Sequence, residues 1–228
     1  VPFTEKAAFA ERERRKSQGI LALPQRLPEM EMTEDFINKQ AENSAIAFLT
    51  LGRNSGEGGD RVVDNDFNLG KDEIALIDKV SKAFHEKGKK VVVILNIGGV
   101  IETASWKDKV DAILLAWQPG QEGGNSVADV LAGKVNPSGK LTMTFPMKYE
   151  DIPSAKNWLG TPAENPKEVT YEEGIYVGYR YFNTFKVKPS YEFGFGKSYT
   201  DFSYSDLKLS NSTFKNNLKV TVKITNTG

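Results

Sequence analysis

The chain has 228 residues, enough for one sizeable domain or for one domain and part of another, with 39% hydrophobic and 26% charged residues as in an ordinary globular protein. Thirty basic and thirty acidic side chains cancel, which argues against nucleic acid or an anionic membrane as the main partner. The absence of cysteine excludes a thiol nucleophile, a disulfide framework and a zinc–cysteine site, and the apolar runs near Val91 and Ile113 are far too short to span a bilayer.

Residues 1–32 begin as a charged, helix-prone stretch, Glu11-Arg12-Glu13-Arg14-Arg15-Lys16, and continue as an extended segment with Pro24 and Pro28. The charge run reads as a solvated helix face with no partner implied. The chain does not begin with Met and shows no signal peptide at Val1. It is therefore expected to be a processed or excised piece. Its compartment stays open, with a periplasmic or secreted address slightly favoured over a cytoplasmic one.

Thr33-Glu34-Asp35-Phe36 has N-cap character, and a helix is expected from there to about Asn43. Ala45–Leu51 reads as a first buried strand. Lys71–Glu86 reads as a helix, with Ile74, Ile77, Val80 and Phe84 on one face and Gly88 suited to its C-terminal cap. Lys90–Asn96 is a second strand, Ile101–Lys107 a short helix, and Asp111–Trp117 a third strand. A helix over Asn125–Ala132 ends at Gly133, and Lys140–Phe145 is a further strand. The runs near residues 45, 91 and 113 are continuously apolar, as in strands buried on both faces of a parallel sheet. Strand–helix–strand alternation points to the same class, a layered α/β unit with a mostly parallel sheet.

The last third differs. Twelve of the 24 aromatic residues lie between Tyr171 and Tyr204, and they are expected to pack one unit against the next, with a sugar-binding platform as the minority reading. Leu218, Val220, Val222 and Ile224 then alternate with Lys219, Thr221, Lys223 and Thr225, the pattern of a half-exposed antiparallel strand. One strand cannot make a stable domain, so residues 201–228 read as the opening of an all-β domain. The sequon Asn211-Ser212-Thr213 is read as chance.

Ligands of open α/β sheets bind outside the carboxyl ends of the strands. Three loops follow strand ends: the one holding Ser55-Gly56-Glu57-Gly58-Gly59-Asp60-Arg61, Asn96-Ile97-Gly98-Gly99, and Gln118-Pro119-Gly120-Gln121-Glu122-Gly123-Gly124. If the strands are parallel, the three loops and the carboxylates of Glu57 and Glu122 share one edge. Three glycines around Glu57 carry a high entropic cost and point to a special loop shape or a close approach. Taken from composition alone, Glu57 is an exposed loop carboxylate. Arg61 and Asp60 are expected to pair and pin the loop, or to contact substrate. Gln121 and Glu122 are expected to hold the turn before the next helix, with substrate contact as the lesser reading. Trp117 is either core or a stacking face for a sugar. His85, the single histidine, sits on a surface helix face and makes no metal site alone. No glycine run completes a G-x-G-x-x-G fingerprint, and Tyr191 stands where a Walker loop before Lys197-Ser198 needs its first glycine. Nucleotide binding is therefore set aside, and no cofactor or metal is called for.

Gly52–Arg61 resembles the acid/base loop of glycoside hydrolase family three, the three-domain β-glucosidase type. Val91–Gly98, Trp117–Gly124, Ala128–Leu141, Tyr171–Phe182 and Tyr191–Thr200 resemble further segments of that family, while Lys197 departs from the apolar residue expected there. The resemblance covers residues 33–228. It implies an α/β sandwich domain over residues 33–200 whose first strand lies upstream of Val1, followed by the start of a fibronectin type III-like domain over residues 201–228. It implies a (β/α)-barrel domain of the same enzyme as partner and a β-linked glucoside or oligosaccharide as substrate; homo-oligomer formation is open. Retaining glycosidases use two carboxyl groups about 5–5.5 Å apart. In this family the nucleophile is a barrel Asp, and Glu57 matches the acid/base, whose pKa should be raised by partial burial and the neighbouring carboxylate. The chain alone is then expected to be inactive. The rival reading is a noncatalytic carbohydrate-binding or interaction module.

Overall fold

The computed structural model describes residues 9, 10, 12–14, 16, 29–54, 56 and 60–228. Its centre is a parallel sheet of three strands, β1 (Ile46–Arg53), β2 (Lys90–Ile97) and β3 (Ala112–Leu115), in the order β1-β2-β3. The register pairs Leu49 with Val93 and Arg53 with Ile97 on one side of β2, and Val93 with Ile113 on the other. Two helices, α1 (Glu34–Asn43) and α2 (Lys71–His85), pack beside this sheet. The α/β class with a parallel sheet is as expected from the sequence.

Strand periodicity decides which side chains are buried. Leu49 and Leu51 of β1 and Val91, Val93, Leu95 and Ile97 of β2 point to one face and join Ile37, Ala41, Ile77, Val80 and Phe84 in the core. The alternate residues Ile46 and Phe48 stay 43% and 49% exposed, so β1 is covered on one side only.

The helices begin and end where their residues dictate. Thr33 Oγ1 accepts the Phe36 N–H at 3.3 Å, and Glu34 and Asp35 lie in the first turn, where the helix dipole favours acid. The second helix carries Asp72 and Glu73 in its first turn and Lys82 and His85 in its last. Gly88, with φ of 67°, then takes the left-handed conformation that closes it, and Lys89 N–H returns to the Phe84 carbonyl at 2.9 Å.

Three sequence expectations are corrected. Ile101–Lys107 is no helix. Glu102 accepts from both the backbone N–H and the hydroxyl of Ser105, and its carbonyl takes the Trp106 indole N–H. These local bonds compete with a helical ladder, leaving one tight turn over Lys107–Lys109. The third strand is shorter than Asp111–Trp117: the Trp117 backbone turns to φ of 52°. Lys140–Phe145 forms no continuous strand. It meets residues 190–195 through Leu141 and through a single Phe145–Tyr191 bridge, because Gly194 (φ 83°) turns the partner segment away.

A short helix α3 (Gly123–Leu131) ends at Gly133, φ 71°. Another, α4 (Tyr179–Thr184), lies in the aromatic segment, where Tyr176 meets Phe185 at 5.2 Å and Tyr179 meets Phe193 at 4.8 Å. The alternating C-terminal stretch is half of an antiparallel hairpin, β4 (Phe202–Leu209) with β5 (Val220–Asn226), and both strands are exposed along their length.

Asp111, just before β3, gathers Lys90 Nζ at 2.7 Å, the Val91 N–H at 2.8 Å and His85 Nε2 at 2.8 Å. The hydrogen bond from Lys90 holds its carboxyl well below the usual carboxylate range, with Val91 and His85 adding to the effect against the opposing cost of burial. A depressed folded-state pKa contributes stability above the unfolded value of about 4, and that contribution is lost as pH falls through the folded value. The Asp111→Asn variant should therefore lose about 0.5–1 kcal/mol at neutral pH, since Lys90 is well exposed. The gap from the parent in thermal midpoint should close progressively as pH is lowered below about 4.

Candidate active site

The parallel pairing brings the carboxyl ends of β1, β2 and β3 to one edge of the sheet. The loops after Arg53, Ile97 and Leu115 all leave from that edge, which is where an open α/β sheet builds a ligand site.

The strongest geometry lies at the root of the first loop. Arg53, the last residue of β1, follows the inward register of Leu49 and Leu51 and is buried. A buried guanidinium needs a full set of partners. Its Nη1 and Nη2 donate to Glu73 Oε1 and Oε2, both at 2.7 Å, its Nε donates to the Asp66 carbonyl at 2.7 Å, and Nη1 also reaches the Gly52 carbonyl. Glu73 is fully buried, and its Oε2 also accepts the Gly70 N–H at 2.8 Å. The pair joins the end of β1 to the first turn of α2.

Arg61 holds the other end of the loop. It does not pair with Asp60, which is a correction: its fork engages Asp66, with Nη2 to Oδ1 at 2.8 Å and Nε to Oδ1 at 3.0 Å. The reason is the turn over Val63–Phe67. Asn65 adopts φ of 61°, and the turn closes through Asn68 N–H to the Val63 carbonyl, which brings Asp66 back to Arg61 and to the Val62 N–H. The remaining Arg61 nitrogen, Nη1, donates to the Val100 carbonyl at 2.9 Å, tying the first loop to the second. A Cβ on Gly99 would stand 2.7 Å from that nitrogen, so a larger residue there would push the guanidinium out of its present place. Asp66 also lies 3.7 Å from Arg53 Nε, which links both ends of the loop through one carboxylate.

The other expected site residues fall as follows. Ser55 and Glu57 lie outside the described residues, and Asp60 is exposed. Trp117 is half-buried beside the core, 6.1 Å from the Phe145 ring, in keeping with its reading as core. Gln121 is exposed. Glu122 stands at the N-cap position of α3, where its carboxylate makes no cap bond to the backbone but accepts from Asn125 Nδ2 at 2.7 Å. Arg53, Asp66 and Glu73 were not picked out from sequence. The available signals were an arginine closing an apolar strand run and a glutamate three residues after Gly70 in a helix's first turn.

An α/β domain with a parallel sheet, and with a glycine-rich loop clamped at both ends at its carboxyl edge, defines the class. Residues 10–179 match the model of the Glycosyl hydrolase family 3 C-terminal domain, and the chain belongs to that family. Beta-glucosidase A of Butyrivibrio fibrisolvens is 37% identical over 213 residues, which cover 81% of this chain and 25% of that protein. Thermostable beta-glucosidase B of Acetivibrio thermocellus is 38% identical over 203 residues, covering 86% of this chain and 25% of that protein. Among solved structures, beta-glucosidase 3B from Thermotoga neapolitana in complex with alpha-D-glucose matches with a TM-score of 0.89 and 50% identity over 98% of this chain and 31% of that one. The chain thus spans about a quarter of the length of the curated relatives it matches. The family read from the sequence is borne out.

Proposed function

We propose that this chain is the C-terminal α/β part of a retaining β-glycosidase of the β-glucosidase type and that Glu57 is its general acid/base. The sandwich unit covers residues 33–200, and residues 201–228 open a fibronectin type III-like domain. The Asp nucleophile belongs to a barrel domain of the same enzyme, and the substrate is a β-linked glucoside or oligosaccharide. The chain on its own is inactive, because it carries one of the two carboxyl groups that the reaction needs.

The observation that carries this reading is the setting of the segment that holds Glu57. It leaves β1 at the carboxyl edge of a parallel sheet, with buried Arg53 on one side and the Arg61–Asp66 pair on the other. Such a loop can offer a carboxylic acid beyond the domain surface, towards a site that a second domain completes. In the first step Glu57 gives its proton to the glycosidic oxygen as the nucleophile displaces it. In the second, the resulting carboxylate takes a proton from the water that releases the sugar.

The test uses Glu57→Ala in the full-length protein with an activated aryl β-glucoside. Azide needs no base, so it should restore turnover and yield a β-glucosyl azide. Turnover that azide leaves unchanged, with no azide adduct, would sink the assignment and favour the noncatalytic module.

A further inference from the structure

We propose that Arg61 and Asp66 are positioning residues for the Glu57 carboxyl, acting on proton transfer through the loop they close without touching substrate; this rests on Glu57 being the acid/base. The argument starts from connectivity. Arg53 and Arg61 flank Glu57 at four residues on either side. The first is locked to the sheet and to Glu73. Among the described residues, the second is held by Asp66 and the Val100 carbonyl.

Asp66 serves both ends. Its backbone carbonyl takes Arg53 Nε, and its carboxylate takes the fork of Arg61. Nη2 of the planar guanidinium donates to Oδ1, and Nε is shared between Oδ1 at 3.0 Å and Oδ2 at 3.2 Å, so one edge engages both carboxylate oxygens and fixes direction as well as distance. The pair is about three-quarters removed from solvent, with side chains 23% and 22% exposed. The Arg61–Val100 bond adds the second strand-end loop to the frame. The network therefore sets the span between the two stems of the segment carrying the acid, rather than the shape of the core.

A displacement of about 1 Å at a reacting group can cost on the order of 100-fold in rate. The loss should fall on the step that needs the proton. In the full-length protein, Asp66→Ala should lower kcat/KM for an alkyl β-glucoside, whose leaving group must be protonated, by roughly 10- to 100-fold. It should change kcat/KM for a dinitrophenyl β-glucoside by only a small factor, because that leaving group departs without help. The ratio of the two is measured in one preparation and does not depend on the fraction folded. Gly99→Ala alters no charge but drives a Cβ against Arg61 Nη1, and it should shift the same ratio in the same direction.

In a Glu57→Gln background the Asp66→Ala effect on the ratio should vanish. Equal losses on both substrates from Asp66→Ala, or full additivity with Glu57→Gln, would overturn the positioning role while leaving Glu57 as the acid. A Glu57→Gln variant that shows no preference between the substrates would instead remove the acid/base reading, and this proposal with it.

Discussion

Replacing Glu57 by Gln in the full-length protein is expected to lower kcat/KM for an alkyl or disaccharide β-glucoside by roughly 100- to 10,000-fold, the range supplied by a positioned general acid. Glutamine keeps the size and polarity of the side chain and removes only the transferable proton, so binding of the sugar should change little. For an activated aryl glucoside, the first step needs no proton. There the deficit should move to the second step, where no carboxylate remains to activate water, and the glycosyl-enzyme should accumulate. A burst of aryl alcohol followed by slow turnover is the kinetic sign. The acid limb of the pH profile comes from the required carboxylate forms. The basic limb reports deprotonation of the acid. Glu57→Gln should therefore flatten the basic limb and spare the other. An unchanged basic limb, or equal losses on both classes of substrate, would show that the proton comes from elsewhere.

Much of the fold was legible because the decisive patterns are local. The continuous apolar runs around Val91 and Ile113 marked strands of the parallel sheet, although burial on both faces did not follow for β1 or for the edge strand β3, and the spacing of Ile74, Ile77, Val80 and Phe84 marked the helix face that packs on the sheet. Thr33 and Gly88 acted as caps because cap chemistry spans only a few residues. What failed depended on distant partners. Whether Lys140–Phe145 joins a ladder is decided fifty residues later, by the turn at Gly194. The single alternating strand at the C-terminus proved to have Phe202–Leu209 as its mate. At the site, Asp60, Asp64 and Asp66 are all close in sequence to Arg61, and nearness favoured Asp60. The left-handed Asn65 sends the chain back so that Asp66 meets the guanidinium. Asn is the non-glycine residue that most readily takes a positive φ, so Asp64-Asn65 signalled a turn, but that signal does not say which carboxylate the returning chain presents to Arg61.

The second large effect concerns stability. Glu73→Gln should destabilise the domain by about 3–5 kcal/mol, the usual result of breaking a buried ion pair by removing one charge. Arg53 cannot escape to solvent, because its side chain is only 2% exposed at the foot of β1. It would keep its bonds to the Gly52 and Asp66 carbonyls but face a neutral amide in a site built for a carboxylate. For a domain of this size the loss corresponds to a fall of roughly 6–20 °C in the melting midpoint. The double variant Arg53→Met/Glu73→Leu should recover much of that loss, since neither side chain then leaves an unpaired charge and apolar replacements of buried pairs are often near neutral. The recovery should stop short of complete, because the Gly70 N–H loses its acceptor and the Asp66 carbonyl its donor. If the single variant melts as the parent does, the pair is not held dry. If the double variant is worse than the single, the two side chains are doing more than neutralising each other. Activity separates the two roles of this network. The double variant, though refolded, lacks the tether from β1 to Asp66, so its alkyl-to-aryl preference should shift as it does for Asp66→Ala, while its melting point returns towards the parent's.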